Sequence, residues 1–359
     1  MIAAAFEGEA VAGRAPDAVP QEVRSAPAAH GWSDRRFEID GPYFCSYQCD
    51  IDKYIIDIRF HSNIVKMSVG YHFKKGDVKN PADGGYANAI IEAYNGIGNM
   101  GIPPCLQIFV MGPGNTTITV SDKDKEILSK WTHAGNIIVH GAYVNIPWSL
   151  KPYIVHQLKS EFAATSDIGA NGLVVHLHSK ASDKKVMEHV LTSIASLPAN
   201  ILAGPRIWLE NKPSKSGIKH CTPKEVKELF EMIQTINPRP KIGFCIDTQH
   251  SFASGIDLAK YDDTYEWLDS LRAALPDEFP MMIHLNDSKS KKGSGVDKHE
   301  GLFSGEIWSG YGHDIGKEDP STSGAVACIL WAEENNAYVI LETPDPVNDL
   351  KYLAPICFT

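Results

Sequence analysis

The sequence predicts an α/β protein: a closed barrel of eight parallel strands alternating with helices, preceded by an N-terminal extension. Three observations predict it. Short apolar runs recur near residues 66–72, 105–111, 136–140, 172–176, 206–210, 241–247, 280–285 and 337–342. Such runs, apolar on both faces and separated by helical stretches, are buried parallel strands. Eight βα units close into a (β/α)8, or TIM, barrel and leave little room for a sandwich or an open doubly wound sheet. Six of the runs also end on a side chain that binds metals: His140, His176, Glu210, Asp247, His284 and Glu342. In such barrels the functional groups sit at the C-terminal ends of the strands, so six strands point six ligands at one place.

Taken in order, residues 1–35 are rich in Ala, Pro and Gly with no apolar period, and read as a flexible leader. A transit peptide is the alternative, opposed by Glu7, Glu9, Asp17 and Glu22. Residues 36–65, including KYIIDIRFHS, read as one or two strands of an appended element, and 66–359 as the barrel domain. Ser121 heads the helical SDKDKEILSKW, and Thr222 caps TPKEVKELFEMIQ with Pro223 at its first position. From Asp287 to about Pro320 the chain is rich in Gly, Ser and Lys, a long loop of the kind that is functional or mobile.

With 359 residues, 43% hydrophobic, the chain can bury one large core, and one main domain accounts for it. A net charge of −10 excludes a general basic surface for nucleic acid. Any such site must be local, and three divalent cations would outweigh four ligand carboxylates to attract phosphate there. The seven cysteines have no zinc-ribbon spacing and read as reduced thiols, with a local Cys45–Cys49 bridge left open. No apolar run is long enough to span a membrane, so a soluble, intracellular protein that does not engage membranes is expected.

Loops add His250, three residues after Asp247, and the pair Asp297 and His299 in VDKHE, making nine candidate ligands. Imidazole and carboxylate suit zinc, with manganese or iron as alternatives. Nine groups exceed what one tetrahedral ion uses. They imply two or three ions with a bridging carboxylate, the arrangement that clamps the oxygens of a phosphoryl transfer.

HGAYVNIP at 140–147, GFCIDTQHSFASGIDL at 243–258, HLNDSK at 284–289, VDKHE and ILET at 340–343 resemble, in order and spacing, the motifs of the endonuclease IV family of apurinic/apyrimidinic (AP) endonucleases. The match runs from about residue 68 to 345. GPGN after the second strand, Pro147 with Trp148, and HEGLFSGEIW at 299–308 are similar to the family's branch in large DNA viruses.

The resemblance implies three zinc ions per chain: one on His140, His176 and Glu210, a second on Glu210, Asp247, His284 and Glu342, a third on His250, Asp297 and His299. It implies activated water attacking the phosphorus 5′ to an abasic site in double-stranded DNA, with Glu210 and Glu342 catalytic and a 3′-hydroxyl left behind. The family's 3′-phosphodiesterase and 3′ to 5′ exonuclease activities are further expectations, as are a monomer and a nuclear, cytoplasmic or virion location.

Tyr143 matches a tyrosine that enters the helix beside the extruded sugar. Flipping a sugar without its base costs little, because no pairing is lost. Lys298, standing where the common motif has arginine, Lys289 and Asn115 are further DNA-contact candidates, and His72 is a candidate for contact with phosphate or with a ligand. His178 could compete with His176, since period 2 puts both on one face. GPGNTT lacks the Arg and aromatic probes of many members, HLHSK replaces the usual HPG, and ENKPSKSG the common ENTAG.

The competing expectation is a metal-dependent sugar isomerase or epimerase on the same barrel, in which His250, Asp297 and His299 have no obvious task. A DNA-binding module without catalysis is disfavoured by nine intact ligands.

Overall fold

The computed structural model describes residues 67–78, 84–237 and 239–358; the leader, the appended element and the Cys45–Cys49 pair lie outside the described residues. The expected strands are present as β1 (Ser68–His72), β2 (Pro104–Ile108), β3 (Ile137–His140), β4 (Gly172–His176), β5 (Arg206–Glu210), β6 (Lys241–Asp247) and β7 (Met281–Leu285). Two short strands follow, β8 (Asp287–Ser288) and β9 (His299–Glu300), before β10 (Tyr338–Leu341) completes the barrel. The closed parallel order is β1-β10-β7-β6-β5-β4-β3-β2. β8 and β9 form a separate antiparallel hairpin.

Around the strands lie α1 (Gly85–Gly98), α2 (Asp122–Lys130), α3 (Pro152–Asp167), α4 (Lys184–Ala195), α5 (Ala199–Ala203) and α6 (Pro223–Ile236). Then come α7 (Thr248–Ala253), α8 (Tyr261–Ala273), α9 (Gly324–Glu334) and α10 (Pro346–Cys357). The predicted caps hold. Ser121 and Asp124 make a reciprocal capping box at α2, and the Thr222 hydroxyl accepts from the Glu225 N–H at α6. Among the described residues no helix is long and apolar enough to cross a membrane.

Among the described residues there are two cores. One lies between strands and helices; the other fills the barrel with Cys105, Ile138, Val174, Trp208, Cys245, Met282 and Ile340. Gly243 makes room for the Trp208 indole, since a Cβ there would stand 2.5 Å from the ring. The Arg206 guanidinium stacks 5.0 Å from the same ring. A filled interior leaves the mouth as the place where polar side chains can gather.

The stretch from Asp287 to Pro320 is more structured than its composition suggests. Buried Asp287 accepts from the N–H groups of Ser288, Gly305 and Ile307, and the buried Trp308 indole donates to the Leu258 carbonyl at 2.6 Å. These long-range bonds replace the local periodicity that the sequence lacks.

Candidate metal centre

Strand register assembles the site. His176 pairs with Glu210 across β4 and β5, and Asp247 with His284 across β6 and β7. Glu210 is the hub. Its Oε2 lies 3.1 Å from His176 Nε2 and 3.3 Å from His140 Nε2, while Oε1 lies 3.2 Å from His284 Nδ1 and 3.3 Å from His250 Nδ1. Glu342 Oε2 faces His284 Nδ1 at 3.3 Å. Asp297 reaches His250 Nε2 at 3.3 Å and His299 Nε2 at 3.5 Å, and Asp247 stands 3.8 Å from His299. All nine predicted ligands thus form one connected set.

Within it, donor atoms of His140, Glu210, His284 and Glu342 lie within 4.8 Å of one another, as do those of Asp247, His250 and His299. This grouping cuts across the implied division among ions, since His140 falls with Glu210, His284 and Glu342, and Asp247 with His250 and His299.

The ligand atoms suit cations. His140 Nδ1 donates to the Gly141 carbonyl at 2.8 Å, His250 Nδ1 to that of Asn211 at 2.8 Å, and His299 Nδ1 to that of Glu342 at 3.4 Å. A ring nitrogen bound to a carbonyl carries the proton, so the opposite nitrogen offers a lone pair. Those opposite atoms, Nε2 of His140, His250 and His299, are buried without a hydrogen-bond partner, as is Glu210 Oε2. Buried polar atoms are rarely left so, and four converging at one rim make a site that could hold metal ions.

Electrostatics agree. Burial opposes ionisation of Glu210, but His176 and His284 hold its carboxyl well below the usual range. Burial likewise opposes ionisation of Glu342, and His284 and His72 outweigh it. His250 is pushed to about 10, with burial opposing the charged ring and Asp247 and Asp297 favouring it, so its Nε2 would offer a lone pair only to a cation that displaces the proton. Asp297 is lowered to about 2, burial being outweighed by His250. Glu210, Glu342 and Asp297 are thus held charged, as metal ligation requires.

The other predicted residues fall around this centre. Tyr143 is 50% exposed and stacks on His176 at 5.6 Å. Buried His72 has Nδ1 3.3 Å from Glu342 Oε1. Exposed Asn115 lines, with His72, Lys74, Phe109, Tyr143 and Glu342, a cavity of about 610 Å³. Lys289 is paired with Glu300 at 3.3 Å, and Lys298 is exposed in the same hairpin. His178 stands apart from the set: β4 ends at His176, so period 2 does not carry beyond it, and exposed His178 accepts from the Lys180 N–H.

Several supporting residues escaped the sequence reading. Gln107, buried in β2, accepts from His284 Nε2 at 2.9 Å and donates to His72 and Glu342. Its signal was an amide inside the apolar run CLQIF. Asn286 donates to Asp247 at 2.6 Å and accepts from the Glu342 N–H, and Asn211 accepts from the Asp247 N–H. Both adjoin strand-end ligands. Buried Glu161 of α3 accepts from the Ala142 N–H and the Asn145 amide, bracing the turn that carries Tyr143; nothing in its helical context marked it. Phe109, at the end of β2, meets the rings of His72, His140 and Tyr143, so an aromatic does stand beside the second-strand loop.

A family model described as xylose isomerase-like TIM barrel matches residues 105–322. A probable AP endonuclease of African swine fever virus (isolate Pig/Kenya/KEN-50/1950) is 35% identical over 244 residues, covering 66% of this chain and 77% of the viral one. A probable endonuclease 4 of Halothermothrix orenii is 31% identical over 212 residues, 56% of this chain and 75% of that one. A solved structure described as "The crystal structure of AsfvAP:AG" superposes with a TM-score of 0.69 at 27% identity, over 81% of this chain and 96% of that one. Endonuclease IV from Thermus thermophilus shares the fold, with a TM-score of 0.59 at 23% identity over 79% and 95% of the two chains. The chain belongs to the xylose isomerase-like TIM-barrel family and, within it, to the endonuclease IV group of AP endonucleases.

Proposed function

We propose that this chain is a metal-dependent hydrolase that cuts double-stranded DNA on the 5′ side of abasic sites, with three zinc ions held by the nine donors. The carrying observation is the set of buried Nε2 atoms on His140, His250 and His299, none hydrogen-bonded, each facing a carboxylate and each fixed by a carbonyl behind its ring. When bound, such ions lower the pKa of water to about 7 and stabilise charge on phosphate oxygens. His140, His176 and Glu210 would hold one, Glu210 with Asp247, His284 and Glu342 a second, and His250, Asp297 and His299 the third.

Glu342 orients the nucleophile while Gln107 and His72 fix its carboxylate. Half-exposed Tyr143 offers a face on which the gap left by a missing base can stack. Lys74 at the cavity wall, with Lys298 and Asn115, gives phosphate contacts on an otherwise acidic protein. Lys289 contributes once it leaves Glu300. A soluble monomer and retained 3′-end trimming belong to the same reading.

Zinc-loaded protein incubated with an abasic duplex and with a panel of ketoses separates this from the sugar-isomerase alternative. Nicking of the duplex alone is expected; turnover of a sugar alone overturns the reading. Metal analysis should give about three ions per chain, and His299→Ala should remove one and lower nicking on the order of a hundredfold. Unchanged metal content and nicking in that variant would refute the third-ion assignment.

A further inference from the structure

Gln249 lies between Asp247 and His250 in the first turn of α7, yet its side chain contacts neither. It is fully buried. Its Nε2 reaches out of the helix to Ser288 Oγ at 3.2 Å, Ser290 Oγ at 3.1 Å and the Val296 carbonyl at 2.9 Å. All three lie in the hairpin segment that delivers Asp297 and His299.

The direction of these bonds is fixed by the loop. Ser288 Oγ donates to the Ser290 carbonyl and Ser290 Oγ to the Val296 carbonyl, both at 2.7 Å. Each hydroxyl has therefore spent its proton, and the loop presents only acceptors to position 249. A buried donor is required there, and an amide supplies one. Around it the loop docks on α7 through its backbone, Gly293 N–H to the Phe252 carbonyl at 3.0 Å and Gly295 N–H to that of Ala253 at 2.8 Å. Gly295, at φ +68°, passes so close that a Cβ would stand 2.6 Å from the Lys215 backbone nitrogen. Val296, the residue before Asp297, is itself 42% exposed, so packing does little to hold it.

We propose that Gln249 is the positioning residue of the third ion: its amide ties the Ser288–Val296 segment to α7, so that Asp297 and His299 from the loop meet His250 from the helix at one point. The assignment rests on the three-ion reading above and names what builds its outermost site. The ligands Asp247 and His250 and the tether Gln249 share one helical turn, so one element positions both halves of the ion's shell.

The test compares Gln249→Met, which keeps the volume and removes the donor, with wild type and His299→Ala in the full chain. Zinc content after dialysis against graded chelator, and the affinity of the weakest ion, are read beside the melting temperature. Wild type should retain about three ions, and both variants about two with the remaining affinities unchanged. Excess zinc should restore nicking to Gln249→Met but not to His299→Ala, an outcome that a merely structural role would not give. Should Gln249→Met fail to fold, the double variant Ser288→Ala with Ser290→Ala removes two acceptors from the loop side and carries the same expectation. Three ions of wild-type affinity in Gln249→Met, with two in His299→Ala, overturn the tether and leave the three-ion reading standing. Two ions in wild type, unchanged by His299→Ala, overturn the three-ion reading itself.

Discussion

At the scale of single residues, the centre depends on which ring nitrogen each histidine keeps free. Three histidines are set by carbonyls, but His284 is set by a side chain, with Nε2 on Gln107 and Nδ1 facing Glu210 and Glu342. Gln107→Leu keeps the strand apolar and removes that partner. Loss of such an orienting contact costs on the order of 10- to 100-fold in metal affinity or activity. The fall should appear in zinc affinity and in nicking together, measured by competitive chelation and a duplex assay. Wild-type values in both would show that Glu210 and Glu342 orient His284 unaided. Six of the nine candidate ligands were legible in the sequence because strand ends mark them, and His250, Asp297 and His299 were proposed from loops. Gln107 was not, since a polar residue inside a strand run says nothing about which of three neighbours it meets.

At the scale of elements, the loops at the mouth are joined by side chains from distant segments. His220, in the loop after β5, accepts or donates at 3.0 Å to Ser182 in the turn after β4. It is buried at φ +54°, and burial lowers its pKa from 6.5 to about 4. Between those values the unfolded chain binds the proton and the folded one does not. Stability contributed by the neutral ring is therefore present above pH 6.5 and lost as pH falls toward 4, by about 3 kcal/mol at most. His220→Asn, which tolerates a left-handed backbone, should flatten that loss. Urea midpoints of chelated protein near pH 7 and near pH 5 decide it: equal acid sensitivity in both proteins would remove His220 from the account. The element map was largely readable, as β1 to β7, β10 and the α2 and α6 caps fell where periodicity and capping residues put them. The β8–β9 hairpin was not, because two-residue strands have no period to detect.

At the scale of the whole molecule, an acidic protein of net charge −10 concentrates four of its carboxylates at the rim where DNA is proposed to dock. Cations bound there would serve folding as well as chemistry, since ligands that bind only the native state stabilise it by mass action, about 3–4 kcal/mol at 100–1,000 times the dissociation constant. Chelation should lower the melting temperature by several degrees and abolish duplex binding, both restored by zinc. A chelated protein that melts and binds DNA like the loaded one would break the link between charge, metal and substrate.

By itself the sequence determined the barrel, the order of its strands and six candidate ligands at one rim, because burial forces a period on strands and strand ends face one rim. Only the tertiary structure decided which atoms of those side chains stay without hydrogen bonds, and that Gln107, Asn211 and Asn286 contact them. Such contacts join residues that chain spacing does not relate, and a hydrogen bond depends on distance and direction in space rather than on separation along the chain.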